Sequence, residues 1–277
     1  MTNVIEKNKE FLSPEEYSIT DLLAVAAARE VNDGEVVFAG TGLPMLAIAL
    51  AKLTTAPTSK LIYEAGTIDS WGTVLPSSVG DARCVTQCSV ASGLFDVFNQ
   101  LQRGSIDLAY LGGAEIDKYG NVNTTVHGDY LNPDFRFPGS GGNSDINSLA
   151  KRTVFLMVQE KRRFKEKVDY ITSPGWRFMD YTTGKWTSRQ EAYGKKFLGG
   201  PTSVISNMAV FRFDEETGEM YVDTIHPGIT KEQLQDNCGF QLDFSRLKGE
   251  TAPPTAKEID LLYNNVDTDG IFLQKKK

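Results

Sequence analysis

The chain has 277 residues, and 36 acidic against 29 basic side chains give it a formal charge of −7 and a pI near 5.0. That balance excludes a broad basic surface for nucleic acid. Hydrophobic residues make up 40% of the chain and charged residues 23%, which excludes general disorder and provides for one large α/β domain or two small ones with a real core.

The N-terminus, MTNVIEKNKEFLSPEEYS, has neither an apolar core nor a small-residue cleavage site, so no signal peptide is expected. The longest apolar stretch, Leu43–Leu53, is too short to span a bilayer and is interrupted by Lys52. No membrane partner is therefore expected. Cys84, Cys88 and Cys238 are an odd count without a disulfide framework, and reduced thiols in the cytoplasm are the simplest reading. Cys84-x-x-x-Cys88 has no second pair to complete four zinc ligands, so no metal is expected.

Residues 1–17 read as a polar N-terminal extension, and residues 18–277 as a single domain. Ser18-Ile-Thr-Asp21 offers helix caps ahead of an apolar stripe at Leu22, Leu23, Val25, Ala26 and Ala27, and Asn32-Asp33-Gly34 ends that helix. Glu35–Ala39 reads as a short buried strand, Gly40–Pro44 as a glycine loop, Met45–Lys52 as a second helix and Leu61–Tyr63 as a second strand. Strand, glycine loop, helix, strand is the rhythm of a parallel α/β sheet. Asp96–Arg103 is predicted helical, Ile106–Leu111 a third strand, and Asp117–Asn123 a turn-rich loop. Arg136–Gly142 is another glycine loop with a helix opening at Asn143–Ala150, followed by a strand at Thr153–Gln159. The pattern weakens over Pro174–Pro201, a long excursion. Val204–Phe213 and Met220–Thr224 alternate like a hairpin around Glu215–Gly218, and short helices are expected at Thr230–Asn237 and Ala256–Tyr263. The fold class is thus α/β: an open, mostly parallel sheet flanked by helices, with a β-rich C-terminal part.

Glu64 stands where an apolar strand runs out, followed at once by Ala65 and Gly66. In parallel α/β sheets, ligands bind at the carboxyl ends of strands. A strand-end acid can equally pair with a lysine or arginine. Gly40-Thr-Gly42, Gly112-Gly113 and Gly139-Ser-Gly-Gly142 let backbone amides approach a phosphate or an oxyanion, or simply make turns. None is a Walker loop, and Gly40-Thr-Gly42 lacks the third glycine of a dinucleotide fingerprint. His127 and His226 have no serine elbow to serve, which argues against a Ser-His-Asp triad. The basic run Lys161–Lys167 is either a solvated face or an attractor for a polyanion such as the phosphates of a nucleotide-type cofactor.

Several stretches form an ordered pattern: VVFAGTGLP (36–44), LIYEAG (61–66), SVGDAR (78–83), LGGAEIDKYGNVN (111–123), GDY (128–130), RFPGSGG (136–142), EKRRF (160–164), DYITSPGW (169–176) and NCGFQLD (237–243). With them the chain resembles the β subunit of class I CoA-transferases, and the glutaconate CoA-transferase branch most closely. The resemblance implies a nucleophilic glutamate in an E-x-G motif, which falls on Glu64, and ping-pong transfer through a glutamyl-CoA thioester. It implies oxyanion or substrate contacts at Gly40, Gly42, Gly141 and Gly142. It implies acyl-CoA and carboxylic acid substrates, no permanently bound cofactor, and a separate α subunit in an α2β2 assembly or a multiple of it. Ala65 departs from the Ser of the glutaconate branch and the Asn of others. Relatives acting as acyl-CoA hydrolases or decarboxylases tend to lack the glutamate, so its presence favours transfer. A structural or ligand-binding subunit would not need Glu64.

Overall fold

The computed structural model describes residues 11–71, 74–194 and 199–273. Residues 1–10 of the expected N-terminal extension lie outside this range. Its last residues touch the C-terminal part, with Phe11 paired to Thr255 and the Leu12 amide donating to Pro254 O at 2.9 Å.

The first helix, α1 (Ile19–Ala28), starts with reciprocal caps. The Asp21 amide donates to Ser18 Oγ, and the Ser18 amide donates to the Asp21 carboxylate. Two amides that a helix start leaves free are thereby satisfied. Next come β1 (Val36–Phe38), α2 (Leu43–Leu53) and β2 (Lys60–Ile62). Two very short strands follow that periodicity did not reveal, β3 (Thr67–Ile68) and β4 (Val90–Ala91), then α3 (Leu94–Gln102) and β5 (Leu108–Leu111). The expected loop at Asp117–Asn123 is largely the turn of a hairpin, β6 (Glu115–Ile116) with β7 (Val122–Asn123). Buried Asp117 organises that turn by accepting from the amides of Tyr119 and Asn121 and from Asn121 Nδ2. Burial pushes its carboxyl up to about 7 despite these donors.

A second hairpin, β8 (Val126–Gly128) and β9 (Pro133–Arg136), leads into α4 (Asn143–Leu149) and β10 (Arg152–Met157). The excursion over 174–201 contains a third hairpin, β11 (Arg177–Asp180) with β12 (Lys185–Ser188), and the short helix α5 (Arg189–Tyr193). The chain closes with β13 (Pro201–Ser206), β14 (Ala209–Phe213), β15 (Met220–Ile225), α6 (Lys231–Asp236) and α7 (Ala256–Leu261), the last running into a π turn at Leu262–Val266.

The apolar run Val204–Phe213, read above as one strand, is two. The amides of Met208 and Ala209 both donate to Ser206 Oγ, and the Gln159 amide donates to Asn207 Oδ1 at 2.6 Å. These side-chain bonds turn the backbone in the middle of an apolar stretch, where alternation alone cannot register a break.

The main sheet has the order β15-β14-β13-β10-β5-β1-β2-β3-β4. Its centre, β13-β10-β5-β1-β2, is parallel, and both edges are antiparallel. Alternate residues of the central strands feed different cores, as the pleat requires. Val37, Ala39, Leu61, Tyr63, Leu108 and Tyr110 pack towards α1, α2 and the C-terminal π turn. Phe38, Ile62 and Ala109 pack on the other face with Val97, Leu101, Ile146 and Ala150 of α3 and the α4 segment. Helices therefore cover both faces, which explains the unbroken apolar strands.

Candidate active site

Because β1, β2, β5 and β10 are parallel, their carboxyl ends share one rim. Gly40 follows β1, Glu64 follows β2, and Gly112-Gly113 follow β5. Ligands of open α/β sheets gather at such a rim.

Glu64 sits in a tight turn. The Gly66 amide donates to Tyr63 O at 3.0 Å, and the Tyr63 amide donates to Thr67 O at 2.9 Å, so Glu64 and Ala65 form the tip joining β2 to β3. Gly66 is required by two constraints. Its φ is +124°, and a Cβ there would stand 2.4 Å from Ser92 O. The Ser92 amide and Oγ both donate to Gly66 O, at 3.0 and 2.8 Å, which seals the turn against the start of α3. Ala65 is exposed.

Counting by twos from Ile62 places Glu64 on the face covered by α3 and α4. A Cβ on Gly142 would stand 3.0 Å from Glu64 Oε1, 2.6 Å from Phe98 Cζ and 3.0 Å from Ile146 Cδ1. The carboxylate thus shares a corner with the Gly142 backbone, the Phe98 ring of α3 and the Ile146 side chain of α4. Phe98 is held in turn edge-on to Phe38, with ring centroids 6.4 Å apart. Glu64 is half-buried, and among the described residues its carboxylate makes no hydrogen bond or ion pair.

The other glycines named from sequence are dispersed around this corner. Gly40 ends β1 and has open space where a Cβ would be, as does exposed Gly141. Gly42 caps the start of α2 at φ +86°. The contacts given by the structure bring Gly142 to Glu64; they do not bring Gly40, Gly42 or Gly141 into direct contact with it. Phe98 and Ile146 escaped the sequence reading because both look like ordinary core positions of amphipathic helices.

A second acidic group occupies the rim beyond β5. Buried Glu115 receives Lys165 Nζ at 2.8 Å, Asn123 Nδ2 at 2.8 Å and the Asp169 amide at 3.0 Å, with His127 Nδ1 at 3.1 Å. Asp169 accepts from Lys165 at 2.7 Å and from the Gly128 amide at 2.8 Å. Burial opposes ionisation of Asp169, but that amide and the Lys165 ammonium outweigh it and hold the carboxyl below its usual range. Burial likewise opposes the charge on Lys165, yet its bonds to Asp169 and Glu115 raise it. The ligand atoms of Glu115, His127 and Asp169 lie within 4.8 Å of one another, a spacing suited to a metal. Lys165 already supplies the positive charge between the two carboxylates, so the group reads as an ion-pair network.

The rest of the Lys161–Lys167 run divides in use. Phe164 is buried, while Arg162 and Arg163 both approach Glu160. Those two arginines, with His127, Phe135 and Phe137, line a cavity of about 300 Å³. His226 is buried between Thr251 Oγ1 and Ser206 O at 2.8 Å each, and burial lowers it to about 4, leaving it a neutral core side chain. Cys84, Cys88 and Cys238 are free thiols. Among the described residues, no helix is long and apolar enough to cross a membrane.

The family described as coenzyme A transferase matches residues 20–237. The chain belongs to this family. It is 38% identical over 247 residues to the β-type subunit of the 3-oxoadipate CoA-transferase of Pseudomonas knackmussii, covering 89% of this chain and 92% of that one. It is 37% identical over 263 residues to the β-type subunit of the glutaconate CoA-transferase of Acidaminococcus fermentans, covering 93% and 96%. The crystal structure of the Acidaminococcus fermentans glutaconate CoA-transferase superposes with a TM-score of 0.84 at 34% identity, covering 94% of this chain and 98% of that one. The resemblance read from the sequence motifs is borne out, as is the α/β fold with its mostly parallel central sheet. Both relatives are the second of two kinds of subunit, which implies an α-type partner for this family member, and CoA thioesters are the family's substrates.

Proposed function

We propose that this chain is the nucleophile-bearing subunit of a CoA-transferase, with Glu64 as the catalytic carboxylate. One observation carries the reading: a rim carboxylate that no neighbour has neutralised, set beside a glycine backbone and an aromatic ring. A Glu64 oxygen attacks the thioester carbonyl of the donor acyl-CoA. The tetrahedral intermediate expels CoA thiolate and leaves a mixed acyl-glutamyl anhydride. The thiolate then attacks the glutamyl carbonyl, releasing the donor acid and forming glutamyl-CoA thioester. The acceptor carboxylate reverses both steps, so no net proton, metal or water is consumed.

The surroundings suit this chemistry. Phe98 and Ile146 exclude water from one side, which strengthens a carboxylate nucleophile and protects the anhydride. The amides of the Gly141-Gly142 turn are the donors for the tetrahedral oxyanion, each worth on the order of 3 kcal/mol. Gly40 and Gly42 form the floor beside the acyl group. Arg162 and Arg163 are the anchors for the phosphates of CoA.

We assign the acyl group to short dicarboxylic acids, because both similar transferases are named for one. The α-type partner covers the rim, in an α2β2 assembly or a multiple of it. Exposed Leu94 and Phe95 on α3, and Leu131 and Phe135 around the β8–β9 hairpin, support a partner there, since large apolar side chains are carried by the same elements as the site. The cytoplasm, where its thiols stay reduced, is the compartment assigned.

The test is covalent trapping. The co-expressed complex is incubated with acyl-CoA, and the Glu64 peptide is examined by mass spectrometry. The expected result is a CoA adduct that hydroxylamine discharges, absent in Glu64→Gln along with exchange. Acyl-CoA consumed without acceptor acid and without an adduct would overturn the reading in favour of hydrolysis. Neither adduct nor turnover, with Glu64→Gln indistinguishable, would leave a structural subunit.

A further inference from the structure

The backbone opposite Glu64 is held by a buried polar clamp, and its centre is Asn143. Asn143 is 8% exposed and opens α4 directly after Gly142. Its Nδ2 donates to Gly112 O at 3.0 Å, at the carboxyl end of β5. Its Oδ1 accepts from Ser173 Oγ. Ser173 is fully buried and is itself bound to the sheet side of the rim, with its amide donating to Val122 O and its carbonyl accepting from the Val122 amide, both at 3.0 Å. One turn further along α4, Asn147 is also fully buried and donates from Nδ2 to Pro174 O at 2.9 Å. Arg189, 2% exposed, donates to the same Pro174 carbonyl and to Gly175 O.

The spacing of Asn143 and Asn147 puts both on one side of α4, towards residues 173–174, while Ile146 faces Glu64. A helix of this length contributes little stability of its own. Its first residue therefore sets where the Ser140–Gly142 turn lies. That turn has little else to fix it: Gly139 and Gly141 have open space around them, and the Asn143 amide bonds only back to Ser140 O, at 2.9 Å. Both Asn143 bonds run to backbone or side chains fixed by the sheet and its β7 neighbour.

We propose that Asn143 is a positioning residue for the reaction at Glu64, holding the Gly141-Gly142 turn at its distance from the carboxylate by bridging Gly112 O and Ser173 Oγ. The proposal rests on Glu64 being the nucleophile. Placement within a few tenths of an ångström matters for attack and for oxyanion donors, but scarcely for initial binding of a long thioester. Loss of the clamp therefore lowers kcat and leaves KM for acyl-CoA nearly unchanged.

The test uses the complex with its α-type partner. Asn143→Ala is expected to lower kcat on the order of 10²-fold with KM within about threefold. Ser173→Ala, which removes one of the two bonds, is expected to fall between Asn143→Ala and the parent. Asn143→Asp supplies the distinguishing signature. A protonated carboxyl can donate to Gly112 O and accept from Ser173 Oγ as the amide does, whereas its anion repels Gly112 O. Burial raises the pKa of such a group, so the ratio of Asn143→Asp to parent kcat is expected to rise as pH falls. The Asn143→Ala ratio is expected to stay flat. The nearby Glu64 carboxyl is common to all variants and cancels in these ratios. A parallel loss in KM, or an Asn143→Asp ratio independent of pH, would overturn the proposal. If Asn143→Ala does not fold, the Ser173→Ala and Asn143→Asp kinetics decide alone. Absence of a Glu64 adduct in the parent complex would instead refute the underlying nucleophile assignment, which separates the two failures.

Discussion

Glu64 and Glu115 stand at the same rim, one after β2 and the other after β5, and their surroundings are opposite. Glu115 is buried with Lys165, His127, Asn123 and the Asp169 amide around it. Glu64 is half-buried, and among the described residues nothing neutralises its charge or occupies its lone pairs. A carboxylate whose partners are all supplied by the fold is committed to holding the fold together. One left without partners at a concave rim retains its lone pairs for a substrate. The difference lies in the turn. The Tyr63–Gly66 turn lifts Glu64 clear of basic side chains, while the β6 strand draws Glu115 inward to face its hairpin partner Asn123.

This contrast predicts a division of effects. Glu64→Gln should cost at least ~10⁴-fold in exchange rate, with the thermal unfolding of the complex unchanged. Glu115→Gln should do the reverse. It should destabilise the protein by about 3 kcal/mol, as breaking a buried pair does, while the folded complex keeps kcat within about threefold. Denaturant unfolding and initial rates on the same preparations separate the two. A Glu115→Gln protein that is stable but inactive would dissolve the comparison.

Gly66→Ala sharpens it from the backbone side. The substitution meets Ser92 O at 2.4 Å and an unfavourable φ of +124°. A cost of about 2–3 kcal/mol is expected, together with a fall in kcat as the Glu64 tip is displaced. Unchanged stability would mean the turn is looser than its contacts indicate. The smallest effect is expected at Ala65→Ser. Ala65 is exposed, so stability should move by less than about 0.5 kcal/mol and kcat by less than about twofold. A larger gain in rate would show that a hydroxyl beside the nucleophile adds something its exposed position does not reveal.

Much of the central fold was legible in the sequence. The Ser18–Asp21 caps, the apolar strands ending in glycines and the E-x-G motif each have local causes. The antiparallel edges were not. Strands β3 and β4 are two residues each and are held by partners distant in sequence, so no periodicity can develop within them. The break between β13 and β14 was hidden because Met208 and Ala209 continue an apolar run while the turning bonds come from Ser206 and Asn207. The hairpin and helix within residues 174–201 were hidden by a composition rich in Gly, Trp and Thr that signals turns more strongly than strands.

The sequence by itself determined the alternation of strand and helix, the presence of an acid at the end of β2 and the glycines that follow strands, because each depends on residues near one another along the chain. Only the tertiary structure decided which acid would be left unpaired and which glycine would face it. Glu64 and Gly142 are 78 positions apart, and their approach depends on α3 and α4 packing on the same sheet face. The same packing buries the Asn143–Ser173 clamp, whose members look like ordinary polar residues until a close-packed interior obliges each of them to find a partner.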